Sequence, residues 1–121
     1  MKKQVSFAGI GNEFLHKMRD QINNSEDKVD LGNNFAYVVN GFLARVFDEK
    51  EIDINNESVQ FDPEAENYYL IDQSLLDQGD FIETWQNSDL PNVIKKFAES
   101  AYHRYIHLNK HNDKTVKKIR N

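Results

Sequence analysis

The chain has 121 residues and a formal net charge of −5, and with 39% apolar and 12% aromatic residues it can form one compact domain with its own core. The absence of cysteine excludes disulfides, thiol catalysis and thiolate metal sites. No apolar run approaches the roughly 20 residues of a membrane-spanning helix, and no signal peptide is recognisable, so the sequence predicts a cytoplasmic protein without membrane contact.

An amphipathic helix is predicted near the N-terminus, over about residues 11–23. Four apolar side chains recur there at intervals of four, at Ile10, Phe14, Met18 and Ile22. Residues 24–34 have few apolar side chains and several short polar ones, which compete for backbone hydrogen bonds. This second segment is therefore predicted to be a loop.

The strongest local pattern in the chain surrounds Asn40-Gly41. Residues 35–39 and 42–47 are rich in β-branched and aromatic side chains, and an Asn-Gly pair between two such runs favours a tight hairpin turn. The buried face of this hairpin would consist of Phe35, Tyr37, Val39, Phe42, Ala44 and Val46. A helix over residues 33–47 is the alternative, since several of the same apolar residues fit a period of 3.6. The hairpin is favoured because a central glycine costs a helix about 1 kcal/mol.

A second hairpin is predicted from residues 58–61 and 68–71, with Pro63 in the connecting turn, and residues 51–54 are a candidate edge strand. Two short helical turns broken at Gly79 follow. The sequence Asp89-Leu90-Pro91 then opens the longest helix.

Together these elements predict an α+β fold. One domain over residues 1–109 would combine an N-terminal helix, an antiparallel sheet of three to five strands built from hairpins, and a long C-terminal helix packed on the sheet. Residues 110–121 would form a basic, frayed C-terminal tail.

Charge is distributed very unevenly along the chain. Residues 48–89, here called the acidic segment, contain thirteen Asp and Glu and a single basic residue, Lys50, so their net charge is −12. Such a surface either balances basic parts of the same molecule or attracts a basic partner. The predicted partner-binding residues are Asp62, Glu64, Glu66, Tyr68, Asp72, Asp77 and Asp80.

The C-terminal region offers two alternative functions. His103, His107 and His111 recur at intervals of four, a row that could bind a metal ion, although the absence of a metalloprotease-like Glu makes a solvated row the favoured interpretation. Arg104 and His111 bracket six residues, a spacing that resembles the Arg and His pair of HEPN-type ribonucleases. That resemblance implies RNA cleavage by an all-helical bundle. More broadly, the first alternative function is a metal-dependent or metal-independent nuclease that works through Arg104, His107 and His111. The basic helix could alternatively bind nucleic acid, a less favoured partner because the domain is acidic overall.

No nucleophile elbow, phosphate-binding glycine loop or dinucleotide fingerprint is present in the sequence. We therefore predict a non-enzymatic protein without catalytic residues, metal or cofactor. Its partner would be a basic protein, such as a nuclease toxin or a nucleic-acid-binding protein, because an array of carboxylates can occupy a surface that normally receives phosphates. In size and acidity the chain resembles bacterial toxin immunity proteins and phage-encoded inhibitors. The charge asymmetry is also compatible with a homodimer.

Overall fold

The computed structural model describes residues 6–48 and 50–120, with side chains described as far as Asn109. Within these limits the chain forms five helices and one two-stranded antiparallel sheet. The elements in chain order are α1 (Ala8–Asn23), α2 (Lys28–Val46), β1 (Val59–Phe61), β2 (Tyr69–Ile71), α3 (Gln73–Leu76), α4 (Gly79–Gln86) and α5 (Leu90–Arg120). Over the described ranges, none of the helices has the length and apolar character needed to cross a membrane.

The predicted sheet of three to five strands is wrong, because residues 28–46 form one helix instead of a hairpin. Asp27 caps the N-terminus of helix α2: its carboxylate accepts a hydrogen bond from the backbone N–H of Asp30 at 2.8 Å. Its buried side chains follow the helical period over about three turns: Leu31, Phe35, Val38, Val39, Phe42 and Leu43. The helical alternative for residues 33–47 is thus confirmed. Residues 51–54 form no strand.

The core lies between α1, α2 and α5. Phe42 of α2 is fully buried, and its ring contacts Phe14 of α1 at 5.6 Å and Phe97 of α5 at 5.1 Å between centroids. Helices α1 and α5 approach closely at Gly11, where an added Cβ would lie 2.6 Å from Cγ1 of Val93. Glycine at this position therefore allows the two helices to pack in direct contact.

The hairpin predicted for residues 58–61 and 68–71 is confirmed as β1 and β2. Val59 pairs with Ile71, Gln60 with Leu70 and Phe61 with Tyr69. The hairpin packs on the helices through Phe61, whose ring centroid lies 5.8 Å from that of Phe35 and 5.9 Å from that of Tyr105.

Asn40 attaches β1 to α2. Its side chain is 4% exposed; the amide oxygen accepts a hydrogen bond from the N–H of Val59 at 3.1 Å, and the amide nitrogen donates to the carbonyl of Val59 at 3.1 Å. The same nitrogen donates to the carbonyl of Ala36 at 2.8 Å. The side-chain amide thus takes the place that the backbone of a third strand would occupy beside β1.

We expect Gly41→Ala to raise the free energy of unfolding by about 1 kcal/mol, because alanine is the better helix former. Gly41 is exposed, and apart from its chain neighbours and the backbone of its own helix no atom lies within 4 Å of the position that its Cβ would take. In the hairpin turn that the sequence favoured, the same change would destabilise, since alanine resists the positive φ of that turn. Unfolding in urea shows whether Gly41→Ala raises or lowers the free energy of unfolding. Gly11→Ala is the matched control and should destabilise; a loss of stability in Gly41→Ala would contradict the helix.

Candidate partner-binding surface

The acidic segment covers the hairpin, α3, α4 and the connections between them. From Glu51 to Asp89 every charged residue is acidic, and no Lys, Arg or His interrupts the series. Most of its carboxylates are exposed, with Asp62 and Asp89 partly buried. The region therefore presents one sign of charge to solvent, and such fields add over the patch.

Three of the predicted residues lie in the turn between β1 and β2, and we call Asp62, Glu64 and Glu66 the tip group. The Oδ1 of Asp62 accepts a hydrogen bond from the N–H of Glu64 at 2.9 Å, so this carboxylate shapes the turn. Glu64 and Glu66 are exposed, and neither side chain forms a hydrogen bond to a described residue. The two glutamates are the ones available to a partner.

Tyr68 ends the same turn, but its ring is used within the molecule. It stacks on Tyr102 of α5 with a centroid distance of 4.0 Å and an interplanar angle of 8°. Its backbone has a φ of 69°, which is an uncommon and strained conformation for a bulky side chain. The stacked rings fix the tip of the hairpin against α5, so Tyr68 positions the tip group and is half-buried itself.

The other three predicted residues follow the opposite end of the hairpin along the chain, with Asp72 at the end of the ladder, Asp77 after α3 and Asp80 in α4, and we call them the base group. Asp72 caps α3 by accepting hydrogen bonds from the hydroxyl and the N–H of Ser74. Both bonds lower the pKa of the exposed Asp72 carboxyl, and the bond from the Ser74 hydroxyl has the larger effect. These hydrogen bonds therefore stabilise the folded protein at neutral pH, and this stabilisation is lost as the pH falls through the lowered pKa of Asp72 in the folded state.

The remaining members of the base group differ in how far they are engaged. Asp77 accepts a hydrogen bond from Nε2 of Gln73 at 2.8 Å, and Asp80 lies exposed in the first turn of α4. Asp53 is held near these residues by Gln78. The side-chain amide of Gln78 accepts a hydrogen bond from the backbone N–H of Asp53 at 2.9 Å and donates one to the backbone carbonyl of Asp53 at 3.0 Å. Asp53 was not predicted from the sequence, because its position depends on a contact with a side chain 25 residues later in the chain.

The structure therefore divides the predicted site in two. Asp62 pairs with Tyr68 at one end of the ladder, and Ser58 pairs with Asp72 at the other end. At about 3.3 Å per residue, these two ends are about 13 Å apart. A single partner surface of ordinary size can span both groups, since such interfaces bury about 800 Å² on each partner.

Basic side chains within the described structure do not neutralise this surface. No described lysine or arginine forms an ion pair with a carboxylate of the acidic segment. Several cations contact other groups: Lys17 lies 5.5 Å from the ring centroid of Phe14, and Lys28 lies 5.3 Å from that of Tyr105. The described basic side chains therefore leave the carboxylates of the acidic segment without ion-pair partners.

Arg104 holds the turn between α1 and α2 in place. Its Nη2 donates to the carbonyl of Ser25 at 2.8 Å, and its Nε is buried without a hydrogen-bond partner. Ser25 is itself fully buried and accepts a hydrogen bond from Asn34 at 2.9 Å. This packing gives Arg104 a structural role and weakens its assignment as a ribonuclease residue. The HEPN resemblance implies an all-helical bundle; the described fold is largely helical, but its hairpin departs from that expectation.

The other C-terminal candidates are only partly described. His103 and His107 are exposed, while the side chains of His111 and of the basic tail lie outside the described residues. Within the described residues no group of three or more metal-binding side chains is found. Tyr102 and Tyr105, which would stack on bases in a nucleic-acid site, contact Tyr68 and Phe61 instead.

Comparisons of this chain with known protein families, with curated proteins and with solved structures found no match.

Proposed function

We propose that this chain is a small non-enzymatic binding protein of the cytoplasm that docks its acidic surface on a basic macromolecule. By occupying a surface that otherwise receives phosphates, it acts as an inhibitor or an immunity-type protein toward a nuclease or a nucleic-acid-binding protein. The observation that carries the proposal is the lack of ion pairs between the acidic segment and the described lysines and arginines. A surface that was balanced by these described side chains would show such pairs.

Several features make this surface suitable for rapid recognition. The tip and base groups sit on a hairpin and two short helices that are fixed to the core through Asn40, Tyr68 and Phe81. A preorganised carboxylate array steers a basic partner before contact, because its field extends to about the Debye length of 8 Å at physiological salt. The partner therefore meets charges that are already in position.

Charge reversal tests the proposal, and the structure selects the residues to change. Glu64→Lys/Glu66→Lys alters the tip group and Asp77→Lys/Asp80→Lys alters the base group, whereas Asp62 and Asp72 are left intact because they support local backbone structure. Glu26→Lys/Glu99→Lys is the matched control, since it makes the same change in charge at exposed positions outside the acidic segment.

Each protein is immobilised and exposed to an extract of cells that express the chain natively, and captured proteins are identified by mass spectrometry. We expect the wild type and the control to retain one basic protein, and each acidic-surface variant to retain at least about tenfold less, because like charges are then opposed. Equal capture by all four proteins, with unchanged circular dichroism, would reject the acidic surface as the binding site.

A further inference from the structure

The two edges of the hairpin differ in whether the rest of the described chain forms hydrogen bonds to them. In an antiparallel ladder, residues alternate between pointing their N–H and C=O groups toward the partner strand and away from it. The bonds from Asp62 N–H to the Tyr68 carbonyl at 2.9 Å and from Asp72 N–H to the Ser58 carbonyl at 2.8 Å set this alternation. Val59 on β1 and Tyr69 and Ile71 on β2 therefore direct their backbone groups outward.

On the β1 side this outward edge is closed at Val59, where Asn40 bonds both backbone groups. On the β2 side, no hydrogen bond to a described residue satisfies the outward groups of Tyr69 or Ile71, and β1 is the only strand paired with β2 in the described structure. We call this row of outward groups on β2 the open edge. An open edge is a ready template for a further strand.

The surroundings of the open edge specify the chemistry of that strand. Glu66 precedes β2 and Asp72 follows it, and both side chains are exposed. No basic residue occurs between Glu51 and Asp89. Like charges close together destabilise a sheet, so a strand that carries acidic residues next to Glu66 and Asp72 is disfavoured.

A side-chain contact for the incoming strand is present as well. Leu70 lies at the centre of β2 on the outer face of the hairpin and is 55% exposed, although large apolar residues are usually buried. A cross-strand neighbour with an apolar side chain would cover it. An occupant that alternates basic and apolar residues would thus meet both the acidic surroundings and Leu70.

We propose that an extended basic segment of the partner protein adds to the open edge as a third, antiparallel strand. This inference rests on the proposed function and specifies how the acidic surface is engaged. Backbone hydrogen bonds to Tyr69 and Ile71 provide the register, and the flanking carboxylates select lysine- or arginine-bearing strands. The mode differs from a purely electrostatic contact, which would leave the amides of β2 unchanged.

A synthetic peptide of eight alternating Lys and Val residues, with blocked ends, is the probe, and the same peptide with Glu in place of Lys is its control. Amide hydrogen exchange of the full chain is followed by NMR at low salt. We expect the Lys peptide to slow exchange of the Tyr69 and Ile71 amides by at least about tenfold, because each gains an acceptor. The Leu70 amide, which is already paired with β1, should change little. No binding, or binding without this protection, would overturn the proposal.

Ile71→Pro provides a second test, because it removes one outward N–H while leaving the bonds between β1 and β2 in place. We expect it to weaken binding of the Lys peptide about tenfold, as one hydrogen bond at the edge is lost, and Ile71→Val to have little effect. If circular dichroism shows that Ile71→Pro is unfolded, the exchange measurement on the wild type decides whether the strand-addition proposal holds. Binding that depends on Glu64 and Glu66 but is unaffected by Ile71→Pro would reject strand addition and leave the proposed function standing.

Discussion

Asn40→Ala is expected to lower the free energy of unfolding by about 3 kcal/mol, although only one side-chain amide is removed. The amide bonds both backbone groups of Val59 and also the carbonyl of Ala36, in a place where the side chain is 4% exposed. A buried backbone group that loses its partner costs about 1–3 kcal/mol, and two such groups are affected at Val59. The better helix propensity of alanine offsets a small part of this loss.

Equilibrium unfolding in urea measures the change, with Asn33→Ala as the matched control. Asn33 lies on the same helix, is exposed and forms no hydrogen bond to a described residue, so this control should be neutral or slightly stabilising. A loss below about 0.5 kcal/mol in Asn40→Ala would be inconsistent with the attachment of β1 to α2, because it would fall within the range of an ordinary surface substitution.

Leu43→Ala should cost about 3 kcal/mol, while Tyr37→Ala should change stability by less than about 0.5 kcal/mol. Leu43 is fully buried in α2, whereas Tyr37 on the same helix is 60% exposed. The hairpin that the sequence favoured makes the reverse prediction, since it places Tyr37 on its buried face and Leu43 on its exposed face. This pair of substitutions therefore distinguishes the two folds.

Both variants are compared with the wild type by urea unfolding, with the dependence on denaturant checked for a common slope. A large loss in Tyr37→Ala together with a small one in Leu43→Ala would contradict the helical assignment of residues 28–46.

Much of the chain outside α2 could be predicted from local patterns. The start of α5 at Leu90 follows the helix-opening sequence before Pro91, and the short hairpin follows the β-rich runs on either side of Pro63. These signals lie within a few residues of the structure that they specify. They are therefore readable without knowledge of the tertiary fold.

The pair Asn40-Gly41 shows why the rest could not be predicted. Locally it favours a hairpin turn, and the apolar residues on either side of it fit the period of a strand as well as that of a helix. The decision comes from tertiary contacts: Asn40 bonds Val59, 19 residues later in the chain, and Phe42 fits between Phe14 and Phe97. Neither contact is visible in the local sequence, and together they outweigh the propensity cost of Gly41.

The candidate site was also only partly readable from the sequence. The concentration of carboxylates between residues 48 and 89 is evident from the sequence, but their availability depends on geometry. The structure shows that Asp62 and Asp72 are engaged in local hydrogen bonds and that Tyr68 is stacked on Tyr102. Glu64 and Glu66 are consequently the predicted residues that are best placed to meet a partner at the tip. The open edge of β2 was not anticipated, because it depends on which strands pair.

The central claim, that the acidic surface recruits a basic partner by charge, is tested most directly by the ionic-strength dependence of the association rate. The captured protein is mixed with the purified chain in stopped flow, and the salt concentration is raised from about 0.05 M to about 0.5 M, which shortens the Debye length severalfold. We expect the association rate to fall at least about tenfold for the wild type and much less for Glu64→Lys/Glu66→Lys. A rate that does not change with salt would contradict electrostatic docking by this surface.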